Sequence, residues 1–361
     1  MIKLPVFLLM LLLVSSVASA RVYASNQSPT AQDPIANISE AGCPRVDQAQ
    51  TAISDSKVFA NYTNYRFYDY ADQFSGGTCD RLLFYQSSSS QPRVEFIVGP
   101  SMTIIATYEF PANLYNLKYS NPAYGQNPIW AGYEANYCDA SSGGTCTQTG
   151  PFIGSAMYYY LPTISTPNPE DTICCTLALW TGIGDDTGAQ DGVLAQIGST
   201  QNIAFQGTNV LTWWELLPSA PNYFTLSCVT PATGDEMFVE SESKTSGNVQ
   251  LYLEDYANTS CYFYKQTSYS VSVTFAYYVL ESPQCGSTYC TQLPKWGSAS
   301  VSTAYELDPS DFYLGFATNS NPYGQDWINQ GCQNNASPSS VTNGETFSVS
   351  WSSSNIKGIN C

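Results

Sequence analysis

The stretch Tyr269-Ser-Val-Ser-Val-Thr-Phe-Ala-Tyr-Tyr-Val-Leu280 decides the fold class. From Ser270 to Phe275 it alternates small polar and apolar residues, the period of a half-buried β-strand. Comparable runs rich in Val, Thr, Tyr, Phe and Trp recur between Gly, Asn and Pro residues, at 156–161, 176–180, 210–216, 223–229, 249–253 and 346–351. No amphipathic helix pattern appears after residue 126. Many short strands with frequent turns predict a sandwich or a barrel, and the length fits one all-β domain, an antiparallel two-sheet β-sandwich.

The N-terminus has the pattern of a secretory signal. Lys3 precedes an apolar run from Leu4 to Val14, and Ala18-Ser19-Ala20 follows as a small-residue cleavage site. The run is shorter than the about 20 residues of a membrane-spanning helix. We therefore expect residues 1–20 to be a cleaved signal peptide, and the mature protein to be secreted, extracellular and free of the membrane.

The chain contains twelve cysteines, which the oxidising exported compartment would turn into disulfides. Cys43 and Cys79 could pair within the N-terminal region. Two further pairs flank Gly/Ser-rich turns and could close locally, Cys138 with Cys146 and Cys285 with Cys290. The spacings do not match a zinc site, and we expect neither metal nor cofactor. Five Asn-X-Ser/Thr sites permit glycosylation: Asn26, Asn37, Asn61, Asn258 and Asn335.

Histidine is missing from the whole sequence. Ser–His and Cys–His nucleophile systems need an imidazole base, and the helical zinc-hydrolase motif needs two histidines. Those classes are therefore excluded. Any hydrolytic chemistry would rest on carboxylates, assisted by amides, hydroxyls or backbone groups.

The charge is strongly negative, with 12 Lys+Arg against 29 Asp+Glu. No basic residue occurs from Tyr119 to Ser243. Nucleic acid and anionic membrane surfaces are therefore poor partners, because both are bound through Lys and Arg. In acid most carboxylates are neutral and few cations remain to repel one another. The pattern suits an acid-adapted protein, although an ordinary acidic secreted protein would show it too.

Composition divides the chain near residue 119. The part from Arg21 to about Tyr119 holds seven of the eleven basic residues that follow the signal, and Pro122-Ala-Tyr-Gly125 resembles a linker. We expect an N-terminal region at 21–119 and a β-sandwich domain at 120–361. Two alternatives stay open for the region: a prodomain that is removed, or an accessory region that stays attached.

Four stretches resemble, in order, the sequence pattern of the glutamic peptidases (eqolisins), a family of acid-acting endopeptidases. They are Ile129-Trp-Ala-Gly132, Leu179-Trp-Thr-Gly-Ile-Gly-Asp-Asp186 with Val193–Gly198, Trp213-Trp-Glu-Leu-Leu-Pro218, and Ala276-Tyr-Tyr-Val-Leu-Glu-Ser-Pro283. The resemblance covers about Gln126 to Trp351. It implies a concanavalin-like jelly roll, endopeptidase activity, and protein or peptide substrates. We expect a monomer.

The resemblance implies that Gln196 is the catalytic glutamine. The last stretch carries two glutamates in the family, four residues apart and so on one face of a strand. The family's catalytic glutamate stands at the first of these positions, where this chain has Tyr277. Glu281 is the carboxylate that remains, so Gln196 and Glu281 are the candidate catalytic pair.

The chemistry of such a pair suits acid. A carboxylate with a pKa near the working pH can accept a proton from water, and an amide N–H donates hydrogen bonds at any pH. Gln196 would orient water and stabilise the tetrahedral intermediate, while Glu281 would take the proton and return it to the leaving amine. The pair should face each other across neighbouring strands, close enough to share one water.

The same stretches supply candidate substrate-binding residues, namely Trp130, Trp180, Asp185, Trp213, Glu215 and Tyr277. Trp213 and Glu215 are two residues apart and share a strand face. The tryptophans would equally suit an aromatic core. Two other functions stay open, a non-catalytic sandwich that binds peptide or glycan through this groove, and a cell-surface structural protein rich in Tyr, Ser and Asn.

Overall fold

The protein was analysed as a computed structural model, which describes the residues 31–32, 42–88, 91–110, 130–136, 152–167, 174–184, 193–204, 207–244, 247–256, 261–271, 273–283, 293–310, 312–316, 321–326, 328–330 and 333–352. Within them one α-helix, α1 (Val46–Ser54), and one 3₁₀ helix (Val58–Tyr62) precede most of the strands. The strands are β1 (Ala31–Gln32), β2 (Arg66–Ser75), β3 (Thr78–Gln86), β4 (Arg93–Val98), β5 (Ile104–Phe110), β6 (Trp130–Asn136), β7 (Gly154–Tyr160), β8 (Cys174–Gly184), β9 (Leu194–Ala204), β10 (Gly207–Leu216), β11 (Asn222–Phe224), β12 (Glu236–Lys244), β13 (Asn248–Asp255), β14 (Cys261–Ser268), β15 (Phe275–Glu281), β16 (Ser298–Leu307), β17 (Phe312–Gly315), β18 (Asn321–Asp326), β19 (Ile328–Gln330), β20 (Gln333–Pro338) and β21 (Phe347–Trp351).

These strands form two sheets with antiparallel pairing, which confirms the predicted all-β sandwich. The small sheet has the order β11-β10-β9-β8-β15-β6-β18. The large sheet has the order β19-β20-β21-β16-β7-β12-β13-β14-β2-β3-β4-β5, and in addition β17 pairs with β16 and β1 pairs with β17. Neither helix among the described residues has the length and apolar character that crossing a membrane would require.

The two sheets pack face to face around the main apolar core. Residues of β9 show how the strand period builds it: Ala195 and Ile197 point into this core, while Gln196 between them points to the outer face of the small sheet. Polar contacts also join the sheets. Ser155 Oγ and Ser241 Oγ of the large sheet donate to the carbonyls of Gly182 and Ala195, each at 2.9 Å.

The strand predicted over 269–280 is half wrong. Strand β14 ends at Ser268 and β15 begins at Phe275, so the described residues between them, 269–271 and 273–274, belong to a connection. It carries the chain from the large sheet, which contains β14, to the small sheet, which contains β15. The anchor is Tyr269, whose hydroxyl donates to the Leu217 carbonyl at 2.6 Å. Alternation here reflects a segment with one side against the protein rather than a ladder of hydrogen bonds.

The N-terminal region forms a meander, β2 to β5, with its own apolar cluster under α1. Strands β4 and β5 flank the turn that follows Val98. The disulfide between Cys43 and Cys79 is confirmed, and a second one joins Cys228 to Cys261. The predicted pairs Cys138–Cys146 and Cys285–Cys290 lie outside the described residues, as does the signal sequence.

This meander is part of the large sheet. Strand β2 pairs with β14, with Ser75 opposite Cys261. Lys265 of β14 is 2 % exposed and pairs with Asp69 of β2. Gln73 of β2 donates to the Thr225 carbonyl at 3.2 Å. The predicted boundary near residue 119 lies outside the described residues, and strands from before and after it belong to one sheet.

Two of the glycosylation sites have described surroundings. Asn61 is exposed, whereas Asn335 is completely buried. A glycan on Asn335 is incompatible with this fold. The other three sites lie outside the described residues.

Candidate active site

Gln196 belongs to a row of residues that crosses the outer face of the small sheet. It stands opposite Glu215 of β10 on one side and Gly182 of β8 on the other. Gly182 in turn stands opposite Tyr277 of β15. Directly paired residues point to the same face, so Glu215, Gln196 and Tyr277 share that face.

Gly182 leaves this row without a side chain between Gln196 and Tyr277. A Cβ atom there would lie 2.9 Å from the Ala195 carbonyl oxygen and 3.0 Å from the Gln196 Cβ. Any larger residue would therefore push against Gln196. The glycine fixes how closely β8 and β9 approach at the point where Gln196 projects.

The next row carries an aromatic belt. Trp213 of β10 and Trp180 of β8 stand on either side of Gly198. A Cβ at Gly198 would lie 2.5 Å from the Trp180 Cβ, so only glycine fits there. Trp130 packs edge-on against Trp180 and Tyr277, with ring centroids 5.3 and 5.8 Å apart.

Gln196 and Glu215 form a direct amide–carboxyl pair. The Gln196 Nε2–H donates to Glu215 Oε2, and the two side chains are 0 % and 2 % exposed. Burial, and then the charge of Glu281, raise the pKa of Glu215 to about 8, against smaller opposing effects of the Gln196 bond and Arg93. Glu215 is therefore protonated throughout the acid range.

Two polar atoms of this face have no hydrogen-bond partner among the described residues. They are Gln196 Oε1, an acceptor, and Trp213 Nε1, a donor, and both are buried. Buried polar groups are nearly always paired. An extended peptide backbone carries both N–H and C=O groups. It could therefore pair with the Gln196 acceptor and the Trp213 donor, which lie in adjacent rows of this face.

Glu281 lies four residues along β15 from Tyr277, opposite Ala178 and Trp130. Trp180 Nε1 donates to Glu281 Oε2 at 2.6 Å, which holds this buried carboxyl against the aromatic belt. Glu281 is near enough for its charge to act on Glu215. However, β8 separates β9 from β15. The expectation that Gln196 and Glu281 lie on neighbouring strands is therefore wrong, and the residue of β15 in register with Gln196 is Tyr277.

Most residues of this face were predicted from the sequence, but some of them were missed. Trp130, Trp180, Trp213, Glu215 and Tyr277 all lie on it, and Asp185 falls outside the described residues. Glu134 was missed, although it stands opposite Tyr277 and only four residues after Trp130 on the same strand face. Phe110 was missed as well, since nothing in its sequence context links the N-terminal region to these tryptophans. It packs in the same apolar cluster.

The described residues contain one group with the composition of a metal site, Cys43, Asp72 and Cys79. The two cysteines form a disulfide, and Asp72 pairs with the buried Arg81 at 2.7 Å. The disulfide and the ion pair explain why these three residues lie close together. It lies in the N-terminal meander and contributes nothing to the face that carries Gln196.

The small sheet of the sandwich thus carries an amide–carboxyl pair on a face lined by tryptophans. Residues 143–351 match the sequence model of the Peptidase A4 family. The chain belongs to that family, and the resemblance to glutamic peptidases is confirmed. Family membership indicates a glutamic-peptidase-type hydrolase. No curated protein sequence matches the chain.

Several solved structures are similar to part of this chain. Scytalido-glutamic peptidase with a transition state analog inhibitor is 15% identical, with a TM-score of 0.47 over 62% of this chain and 98% of that chain. SCP-B, a member of the eqolisin family, in complex with the tripeptide Ala-Ile-His is 14% identical, with a TM-score of 0.43 over 62% and 98%. Aspergilloglutamic peptidase from Aspergillus niger is 18% identical, with a TM-score of 0.40 over 49% and 99%.

Proposed function

We propose that the protein is a secreted endopeptidase that hydrolyses peptide bonds in acid through Gln196 and a buried glutamate. The observation that carries this proposal is the Gln196–Glu215 pair, placed on a tryptophan-lined face with Glu281 nearby. Family membership supports hydrolysis of peptides. The strong negative charge disfavours nucleic acid as a partner.

In this proposal Glu281 moves the proton. It accepts a proton from water as the water oxygen bonds to the carbonyl carbon of the peptide. It then returns the proton to the leaving nitrogen as the C–N bond breaks, so the enzyme ends in its starting state. The bond from Trp180 keeps the Glu281 carboxyl in one orientation during both transfers.

Gln196 stabilises the charge that develops. The second N–H of its amide donates to the oxyanion of the tetrahedral intermediate, and this donor does not titrate in acid. Glu215 fixes the amide by accepting its first N–H. Because Glu215 stays protonated in acid, it does so without adding a negative charge beside the oxyanion.

The test is proteolysis by the purified chain. An unrelated unfolded protein is incubated with it at about pH 3, where ordinary carboxyls are largely protonated, and at neutral pH. We expect cleavage in acid only, resistant to pepstatin. Gln196 and Glu281 are both buried, so the assay includes a second sample that has been cut briefly with another protease. A chain inert in both samples would contradict the proposal.

One observation favours a second candidate function, a peptide-binding sandwich that does not cut. Tyr277 stands in register with Gln196 where the family pattern has its catalytic glutamate, and the reference pKa of a phenol is near 10, so it cannot serve as a base in acid. Quenching of tryptophan fluorescence by added peptides, with no product formed, would support this function over the first.

A further inference from the structure

The N-terminal meander contacts the aromatic belt of the candidate active site through Phe110. This residue is the last one of β5 and is 6 % exposed. Its ring stacks on the ring of Tyr223 in β11, with centroids 6.1 Å apart and an angle of 27° between the two planes. Tyr223 stands directly opposite Trp213 of β10. A ring contact and a cross-strand pair therefore join the meander to Trp213.

Phe110, Tyr223 and Trp213 belong to one apolar cluster, which also contains Trp180. Directly paired residues point to the same side of a sheet, so Tyr223 and Trp213 share the outer face of the small sheet. Among the described residues, β11 is the last strand at this end of that sheet. Phe110 therefore extends the aromatic belt beyond the edge of the small sheet with a side chain that the large sheet supplies.

Trp213 carries the hydrogen-bonding group that this contact orients. Its indole Nε1–H is buried and has no hydrogen-bond partner among the described residues. An indole nitrogen only donates, so its partner must be an acceptor. Trp213 is two residues from Glu215, the partner of Gln196, and lies on the same strand face. A carbonyl of a peptide bound beside Gln196 is an acceptor that this donor suits.

The two sides of Trp213 differ in the support that they give to its ring. On the β9 side Trp213 stands opposite Gly198, which has no side chain to pack against it. On the β11 side it stands opposite Tyr223, and Phe110 backs the Tyr223 ring. Without the Phe110 ring, Tyr223 loses this support, and the direction of the Trp213 Nε1–H is held less firmly.

Resting on the function proposed above, we propose that Phe110 is a positioning residue for peptide binding, which acts through Tyr223 on the Trp213 Nε1–H. The family model matches residues 143–351, so Phe110 lies outside the matched part of the chain. The N-terminal region then contributes to the binding of substrate as well as to the large sheet.

The test is peptide binding, which does not require cleavage. Ten-residue peptides that tile an unfolded protein are titrated into the full chain by calorimetry at neutral pH, where the proposed peptidase does not cut. Phe110→Ala should weaken the tightest of them by about threefold to tenfold, the net worth of one hydrogen bond. Phe59→Ala is the matched control. It removes a ring of the meander that packs on Tyr85 and Phe96 instead, and should leave the affinity unchanged.

A double-mutant cycle separates positioning from a general loss of stability. Trp213→Phe keeps a ring and removes the Nε1–H, so it should weaken binding by a similar factor. Phe110→Ala should then have no further effect in the Trp213→Phe chain, because the donor that Phe110 orients is gone. Phe110→Tyr keeps a ring against Tyr223 and should bind like the wild type.

Three outcomes would overturn the proposal: additive effects of the two substitutions, equal affinities of Phe110→Ala and Phe59→Ala, or no peptide binding by the wild type. Should Phe110→Ala fold poorly, Phe110→Leu keeps most of the apolar volume without the stacking ring, and the same cycle is run with it. A wild-type chain that binds peptides without cutting them would contradict the proposed peptidase, and the cycle would still decide the role of Phe110. In an active chain, Phe110→Ala should raise KM and leave kcat nearly unchanged.

Discussion

Tyr277 stands in the same row as Gln196, with only Gly182 between them. This is the position at which the family pattern has its first glutamate. The phenol packs against Trp130 and Trp180 instead of offering a carboxyl. The catalytic competence of the chain therefore depends on whether a carboxyl from another position can serve Gln196.

Replacing this tyrosine tests the point directly. Tyr277→Glu places a carboxyl in register with Gln196, and we expect faster cleavage of an unfolded protein substrate in acid than by the wild type. The loss of aromatic packing should lower the free energy of unfolding by about 3 kcal/mol or more. Thermal unfolding measures this decrease. Tyr277→Phe keeps the packing without the carboxyl and should not gain activity. Equal rates in Tyr277→Glu and Tyr277→Phe would contradict the importance of this position.

The proposed pair is tested by removing each member. Gln196→Ala and Glu281→Ala should each reduce kcat by roughly a hundredfold or more, because an oxyanion donor or the proton carrier is lost. Melting temperatures report whether the fold is kept. Gln266→Ala, at an exposed position of β14, is the matched control and should behave as the wild type. Full activity in Glu281→Ala would refute the assignment of Glu281 as the base.

Stability should fall as the pH rises from acid to neutral. Burial raises the pKa of Glu95 from 4.5 to about 8, and burial followed by the charge of Glu281 does the same for Glu215. In this interval the folded state holds protons that the unfolded state has released, so the stabilisation is complete below pH 4.5 and is lost on approaching pH 8. The total is on the order of a few kcal/mol.

Denaturant unfolding at a series of pH values measures this dependence. Glu95→Gln, which keeps the shape of the side chain and cannot ionise, should flatten the curve between acid and neutral pH. Glu109→Gln, at an exposed position of β5, should leave it as in the wild type. A wild-type protein that is more stable at pH 8 than in acid would show that these buried carboxyls do not control the pH dependence.

The meander should be required for folding. A chain that begins near residue 126 would leave β14 as an open edge and Lys265 buried without Asp69. Breaking a buried ion pair by removing one partner costs about 3–5 kcal/mol. We expect this truncated chain to be insoluble or unfolded by circular dichroism. Adding residues 42–110 as a separate chain should rescue it, whereas a soluble, folded truncation would restore the prodomain interpretation.

The sandwich could be predicted from local strand patterns, and the residues of the face that carries Gln196 from four stretches that resemble the glutamic peptidase pattern. Trp213 and Glu215 share a face by the period of one strand, and the register of β10 with β9 then adds Gln196. The relation of Glu281 to Gln196 could not be predicted in this way. It depends on β8 lying between β9 and β15, and strand order is set by packing of the whole sheet.

The position of the N-terminal region in the fold could not be predicted from local sequence patterns either. Nothing near Phe110 in the sequence indicates Tyr223 as a neighbour, since this contact joins segments far apart in the chain. Composition suggested a boundary because the basic residues concentrate before residue 119. One of those residues, Arg81, pairs with the buried Asp72 of the same region, so part of this positive charge is neutralised within the meander.

The pairing of β2 with β14 sets the order in which the molecule can assemble. The meander leaves the ribosome early and can close its own hairpins and the Cys43–Cys79 bridge from local contacts. Its outer edge at β2 must then wait until residue 268 has been synthesised. Pairing β2 with β14 closes a long loop. This step is slow, because the chain loses conformational entropy before the new contacts form. The nascent chain thus carries an unpaired strand edge through most of its synthesis, and folding in the cell depends on keeping that edge from other chains.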